Sequence, residues 1–262
     1  MIKIEPKFRE QVWGDFNLNK TFGIKGNPIG EVWLLSGHPL YTTNVNGKTV
    51  NEESKELCGK NFKRFPLLIK LISTNAWLSL QVHPDDEYAQ RVEGEPWGKS
   101  EAWYFLKDGE IAICENPSLI PQALKSGNWE KVIRKVKVKK GTFVYIPAGV
   151  IHALGPNSTI IEVQQSSDLT YRIYDWGRQR ELHIEKALQV AKKTKYENLL
   201  MEKISCEYFN MEELFEGYVD GFAVAVPKKI EKNFGAFLIP KGSKEFVRDS
   251  IIITLGEFFL NS

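Results

Sequence analysis

Among the four histidines of this 262-residue chain, His83 sits in a setting suited to metal chemistry. In Leu78-Ser79-Leu80-Gln81-Val82-His83-Pro84 an extended backbone turns successive side chains to opposite faces. Ser79, Gln81 and His83 then share one face, and Leu78, Leu80 and Val82 take the other. His83 offers an imidazole nitrogen and Gln81 an amide oxygen to the same space, two donors able to enter a metal shell. Pro84 lacks the N–H that a ladder needs, so it ends the strand. Lys99 and Glu101 repeat the two-residue spacing of polar groups, and so do Glu162 and Gln164. Lys70 interrupts the apolar run 65–72, where an ammonium must either snorkel outward or face an anion in a polar cavity. His38, between Gly37 and Pro39, reads as a turn residue, and His183 as a surface or capping residue of a helix.

Positioning such groups takes strands. Short extended stretches punctuated by Gly and Pro predict a mainly β protein, a β-barrel or jelly roll with a few short helices. Strands are expected at 31–36, 65–72, 76–83, 99–106, 135–139 and 159–165, with a five-residue strand closed by Pro147-Ala148-Gly149. Asn46-Gly47 reads as a hairpin turn followed by a short helix. A further short helix is expected from Asp85, one or two over 118–134, and the longest over 181–193. Beyond residue 199 short strands return, with turns at Gly217, Val219-Asp220-Gly221 and Pro240-Lys241-Gly242. The expected division is a barrel with short helical insertions over 1–194, which holds these polar groups, and a smaller C-terminal β-region over 195–262.

Composition narrows the class. At 42% hydrophobic and 26% charged residues, the chain reads as a soluble globular protein with a sizeable core. A net charge of +2 gives no support to a nucleic-acid partner. Cys58, Cys114 and Cys206 are far apart, odd in number and without a CxxC, the pattern of a reduced compartment. The N-terminal stretch lacks a signal-peptide run, and no stretch approaches membrane-spanning length. The expectation is a cytoplasmic protein without membrane or nucleic-acid partners, monomeric or homodimeric.

Gly141, Pro147, Gly149 and His152 resemble in order and spacing the second motif of the cupin superfamily. Thr142 departs from it where an acid is usual, and Asn157 is displaced by one position. Phe65-Pro66-Leu67-Leu68-Ile69-Lys70, Gln81-Val82-His83-Pro84, Gly98-Lys99-Ser100-Glu101, Pro147-Ala148-Gly149 with His152, and Arg172 follow in that order. Together they are similar to the type I mannose-6-phosphate isomerases of the short bacterial kind, well over about residues 28–190 and more weakly beyond. The resemblance implies a cupin jelly-roll barrel and interconversion of mannose 6-phosphate with fructose 6-phosphate through an enediol(ate). It implies one zinc ion held by Gln81, His83, Glu101 and His152, although Mn, Fe or Co suits the same cage. Arg172 matches the family's active-site arginine; Lys99, Glu162 and Asp168 match positions tied to proton transfer or ring opening. Lys70 and Ser79 match the phosphate end of the substrate. The alternatives for the same residues are a metal cupin of different chemistry, such as an oxygenase, and a non-catalytic sugar-phosphate binder.

Overall fold

In the computed structural model, which describes residues 1–261, the chain forms two compact units. One comprises Met1–Ser73, Ile161–Ser166 and Glu202–Ser262; the other comprises Thr74–Ile160 and Ser167–Met201.

The second unit carries His83, Glu101, His152 and Arg172. Its five-stranded antiparallel sheet runs in the order Arg134–Val138, Gly109–Cys114, Ile151–Leu154, Leu80–Val82 and Tyr171–Tyr174. A second group pairs Phe143–Ile146 antiparallel with both Glu101–Phe105 and Leu200–Met201. Side-chain alternation gives the five-stranded sheet two different faces. Leu80, Val82, Ala112, Cys114, Ile151, Ala153, Tyr171 and Ile173 form one buried cluster with Tyr88, Ile120, Ala187 and Val190 from the neighbouring helices. The alternate positions bring His152, Gln81 and Arg172 onto one rung, since His152 pairs with Gln81 and Gln81 with Arg172. Two faces of opposite character hold the strand register, because a one-residue slip would bury Gln81 and Arg172 among the aliphatics.

The first unit is also antiparallel. Lys7–Glu10, Ile29–Ser36 and Leu67–Ser73 pair in sequence. A six-stranded sheet runs Ile2–Lys3, Phe237–Ile239, Ala223–Pro227, Lys244–Leu255, Phe209–Asp220 and Ile204–Ser205. The mainly β, jelly-roll expectation therefore holds.

Three local expectations need correction. The strand expected over 76–83 is only Leu80–Val82, so Ser79 and His83 flank it. The helix expected over 181–193 spans Ile184–Val190. Its start is delayed because the Glu181 carbonyl accepts from Arg172 and the His183 amide donates to the Arg172 carbonyl, which keeps this segment out of the helix. Its end comes early because the Lys192 amide donates to the Gly149 carbonyl at 2.8 Å, drawing Ala191 into an extended conformation. The C-terminal strands are not all short: Phe209–Asp220 and Lys244–Leu255 have 12 residues each. Gly217 lies inside the first of them, paired with Val247, and the turn falls at Gly221, where φ is +84°.

Ile173 is fully buried in the cluster behind the His152–Gln81–Arg172 rung. Ile173→Ala is expected to cost about 2–5 kcal/mol, read as a lower denaturant midpoint at unchanged m-value; a change under about 0.5 kcal/mol would show that the cluster does not hold the sheet.

Candidate metal centre and active site

His83, Glu101 and His152 converge from three separate stretches, with one ligand atom of each lying within 4.8 Å of the others. His83 follows the end of its strand at Val82, Glu101 opens the strand Glu101–Phe105, and His152 lies in Ile151–Leu154. Two turns set their approach. The Gly149 amide donates to the His83 carbonyl at 2.9 Å, which seats the Pro147-Ala148-Gly149 turn beside His83. Gly98 passes the 84–85 backbone so closely that a Cβ would lie 2.3 Å from the Pro84 carbonyl oxygen. The Lys99 amide then donates to that same carbonyl at 2.9 Å.

The ring nitrogens have assigned roles. His83 Nδ1 lies 2.8 Å from the Leu169 carbonyl oxygen, and His152 Nδ1 lies 3.0 Å from that of Val150. A carbonyl only accepts, so each Nδ1 carries the proton and each Nε2 presents a lone pair. His152 Nε2 has no hydrogen-bond partner among the described residues and faces Glu101 Oε1 at 3.1 Å. His83 Nε2 faces Glu101 Oε2 at 3.5 Å. Lone pairs and carboxylate oxygens that face one another repel unless a cation lies among them. Donor atoms on a tetrahedral zinc ion with ~2.0–2.1 Å bonds stand ~3.3 Å apart, close to both separations. Two imidazoles and a carboxylate, each oriented by an outer partner, thus fit a divalent metal.

Lys99 completes the charge balance. Its Nζ lies 2.8 Å from Glu101 Oε2 and 3.3 Å from His83 Nε2. Burial alone would raise the pKa of Glu101. The Lys99 ammonium beside it outweighs burial and holds the carboxyl well below the usual carboxylate range. His83 is pushed well below the ordinary histidine value, first by burial and then by Lys99. Trp103, on the same face as Glu101, sets its ring edge-on to His152 with centroids 5.5 Å apart.

The remaining expected residues fall into two groups. Gln81 stands beside His152 in the register, and Ser79 Oγ donates to Gln81 Oε1 at 3.1 Å. Arg172, on the other side of Gln81, donates through a terminal nitrogen to the Glu181 carbonyl at 2.7 Å. Its Nε is buried without a hydrogen-bond partner, and burial lowers its pKa. Asp168 is half-buried and directly precedes the carbonyl that holds His83. Lys70 and Glu162 belong to the first unit and meet each other there. Lys70 Nζ lies 2.8 Å from Gln164 Oε1, 3.1 Å from Glu162 Oε1 and 3.7 Å from Glu31 Oε2. The lysine in its apolar run therefore faces anions inside the protein, one of the two options its position allowed.

Sequence reasoning did not find Trp103, Glu31, or the Val150 and Leu169 carbonyls. Trp103 shares the face of Glu101 at a two-residue spacing and was detectable by the rule that paired Lys99 with Glu101. A backbone carbonyl leaves no trace in residue type.

Antiparallel strands around a buried His/Glu/His cluster that could hold a metal ion define a cupin-type barrel. Residues 1–115 match the model of the phosphomannose isomerase type I catalytic domain. The probable mannose-6-phosphate isomerase GmuF of Bacillus subtilis is 40% identical over 210 residues, 71% of this chain and 67% of that protein. The mannose-6-phosphate isomerase of Streptococcus mutans is 38% identical over 210 residues, 71% of this chain and 66% of that protein. The crystal structure of the mannose 6-phosphate isomerase from Bacillus subtilis aligns with a TM-score of 0.74 at 29% identity, over 97% of this chain and 96% of that one. A mannose 6-phosphate isomerase bound with zinc and yttrium shares the fold, with a TM-score of 0.65 at 16% identity over 98% of this chain and 97% of that one. The chain belongs to the type I phosphomannose isomerase family. It spans about two thirds of the length of the curated relatives it matches.

Two expectations arise from this geometry. His152→Ala should lose tightly bound metal, measured by elemental analysis after dialysis; metal retained at the wild-type ratio would exclude His152 as a ligand. Acid should destabilise the chelator-treated protein. The folded-state pKa values of His83 and Glu101 both lie below their ordinary values of 6.5 and 4.5, so the unfolded chain takes up more protons as pH falls. Stability is then full above about pH 6.5 and declines as His83, and below about pH 4.5 Glu101, come to favour the unfolded chain. Thermal melts from pH 7.5 downward should show this decline, and His83→Gln should flatten its upper part.

Proposed function

We propose that this protein interconverts mannose 6-phosphate and fructose 6-phosphate with one divalent metal ion, zinc, held by His83, Glu101, His152 and Gln81. The observation that carries this reading is the buried His83/Glu101/His152 cluster with its unpartnered imidazole nitrogen, in a chain of the phosphomannose isomerase family. The zinc-bound fold relative and the imidazole-rich donor set both support zinc. Mn, Fe and Co are competitors for the same cage.

An aldose–ketose isomerisation opens the sugar ring, removes a proton beside the carbonyl and returns it to the neighbouring carbon through an enediolate. When bound, the metal supplies Lewis acidity toward the oxygens on which negative charge collects. The protein's own groups do the rest. Lys99, held against Glu101, brings a fixed ammonium to the developing oxyanion. Arg172 presents a buried, unpartnered Nε on the rung beside Gln81, a donor set to bind a substrate oxygen rather than solvent. Asp168 and Lys99 are the titratable groups of this unit to which we assign proton transfer. The Val150 and Leu169 carbonyls keep both imidazoles in the ligating tautomer. The aliphatic wall of Leu80 and Val82 keeps the rung rigid from behind.

The test is a coupled assay for fructose 6-phosphate formed from mannose 6-phosphate, with chelator and with zinc restored. Turnover should vanish with chelator and return with zinc, and no turnover by metal-loaded protein would overturn the reading. Arg172→Ala should keep the metal and lose ~10²–10³-fold in kcat; an unchanged kcat would remove Arg172 from the chemistry.

A further inference from the structure

Behind the metal rung, on the opposite face of the five-stranded sheet, four aromatic rings run in series. Trp129 stacks on Tyr174 with centroids 4.4 Å apart and planes 17° from parallel. Tyr174 meets Trp176 edge-on at 5.1 Å, and Trp176 stacks on Trp77 at 4.8 Å. All four are half-buried and pack on the cluster that contains Leu80, Val82 and Ile173. A cavity of about 730 Å³ opens beside them, with Asn128, Trp129, Glu130, Lys135, Tyr174 and Trp176 in its lining. That volume lies within the range of small-molecule sites, roughly 300–1,000 Å³.

Several polar groups here have no hydrogen-bond or ion-pair partner among the described residues. The Trp176 indole N–H donates to the Leu78 carbonyl at 2.5 Å, whereas that of Trp129 has no acceptor among the described residues. Glu130 and Lys135 are exposed, and neither joins an ion pair among the described residues. Lys135 Nζ stands 5.3 Å from the centroids of both Trp77 and Trp176, so the cation site over those indoles is already filled by the protein. A second cation would be repelled by Lys135, and an anion by Glu130. The two charges cancel and favour a neutral ligand. A pyranose fits both halves of the surface: its C–H face lies on the negative face of an aromatic ring. Its hydroxyls meet amide, carboxylate, ammonium and indole N–H groups at the rim.

We propose that this cleft is a second carbohydrate site, taking a neutral pyranose or short oligosaccharide on Trp129 and Tyr174, back to back with the metal centre. Binding there does not need the metal ligands. The test is titration of the full-length protein with D-mannose, cellobiose and, as a stacking control, adenosine, followed by tryptophan fluorescence and saturation-transfer NMR. At least one saccharide should bind with Kd on the order of 1–10 mM. Trp129→Ala should weaken it ~10-fold or more, Trp129→Phe should restore most of it, and His152→Ala should leave it unchanged. Asn128→Ala alters an exposed side chain and provides a variant that leaves the core untouched; it should weaken saccharide binding measurably. The proposal is overturned if neither saccharide binds at ~100 mM. It is equally overturned if binding survives Trp129→Ala but not His152→Ala, or if adenosine binds more tightly than either sugar.

Discussion

A carboxylate with no solvent exposure is the constraint on which the second unit is organised. Glu101 is 0% exposed, and an ionised carboxyl in that position loses several kcal/mol of hydration. Nothing on its own strand repays that loss except Lys99, two residues earlier. His83 and His152, which belong to distant stretches of chain, turn their Nε2 lone pairs toward it, so a cation among the three would repay the rest. The fold brings one ligand atom of each within 4.8 Å of the others around Glu101. The close passage of Gly98 against the 84–85 backbone and the docking of Gly149 on the His83 carbonyl maintain that approach.

The five-stranded sheet does two jobs because its strands have two faces. Each of the strands Ile151–Leu154, Leu80–Val82 and Tyr171–Tyr174 gives one polar side chain to the His152–Gln81–Arg172 rung and aliphatic or aromatic neighbours to the cluster behind it. The packed cluster behind is what makes the rung stiff, since interior side chains tolerate displacement poorly. The aromatic series beyond Tyr174 grows out of that same cluster. The face that supports the chemistry thus also carries a surface with its own recognition potential.

In the first unit a separate buried network gathers Lys70, Glu162, Gln164 and Glu31. Trp33 donates to Glu31 at 2.7 Å, and Gln11 donates to its other oxygen at 2.8 Å. Such networks hold only when their members are nearly all satisfied, which is why one lysine in an apolar strand requires several partners from elsewhere in the chain.

Much of this was legible in residue order. Alternation placed Gln81 and the leucines on opposite faces; Gly and Pro marked the ends of strands; and Gly141 through His152 carried the spacing of a known metal motif. The short period of a strand makes facing a local property, so sequence alone determined which side chains could share an interior. What it did not contain were distances between strands far apart in the chain. The convergence of His83, Glu101 and His152, the tautomers imposed by the Val150 and Leu169 carbonyls, and the early end of the helix at Val190 were decided by tertiary structure. The same holds for the 12-residue strands read as short ones, since Gly217 is kept extended by its partner Val247. The physical reason is common to all of them: backbone carbonyls and cross-strand partners act through position, which only the folded chain supplies.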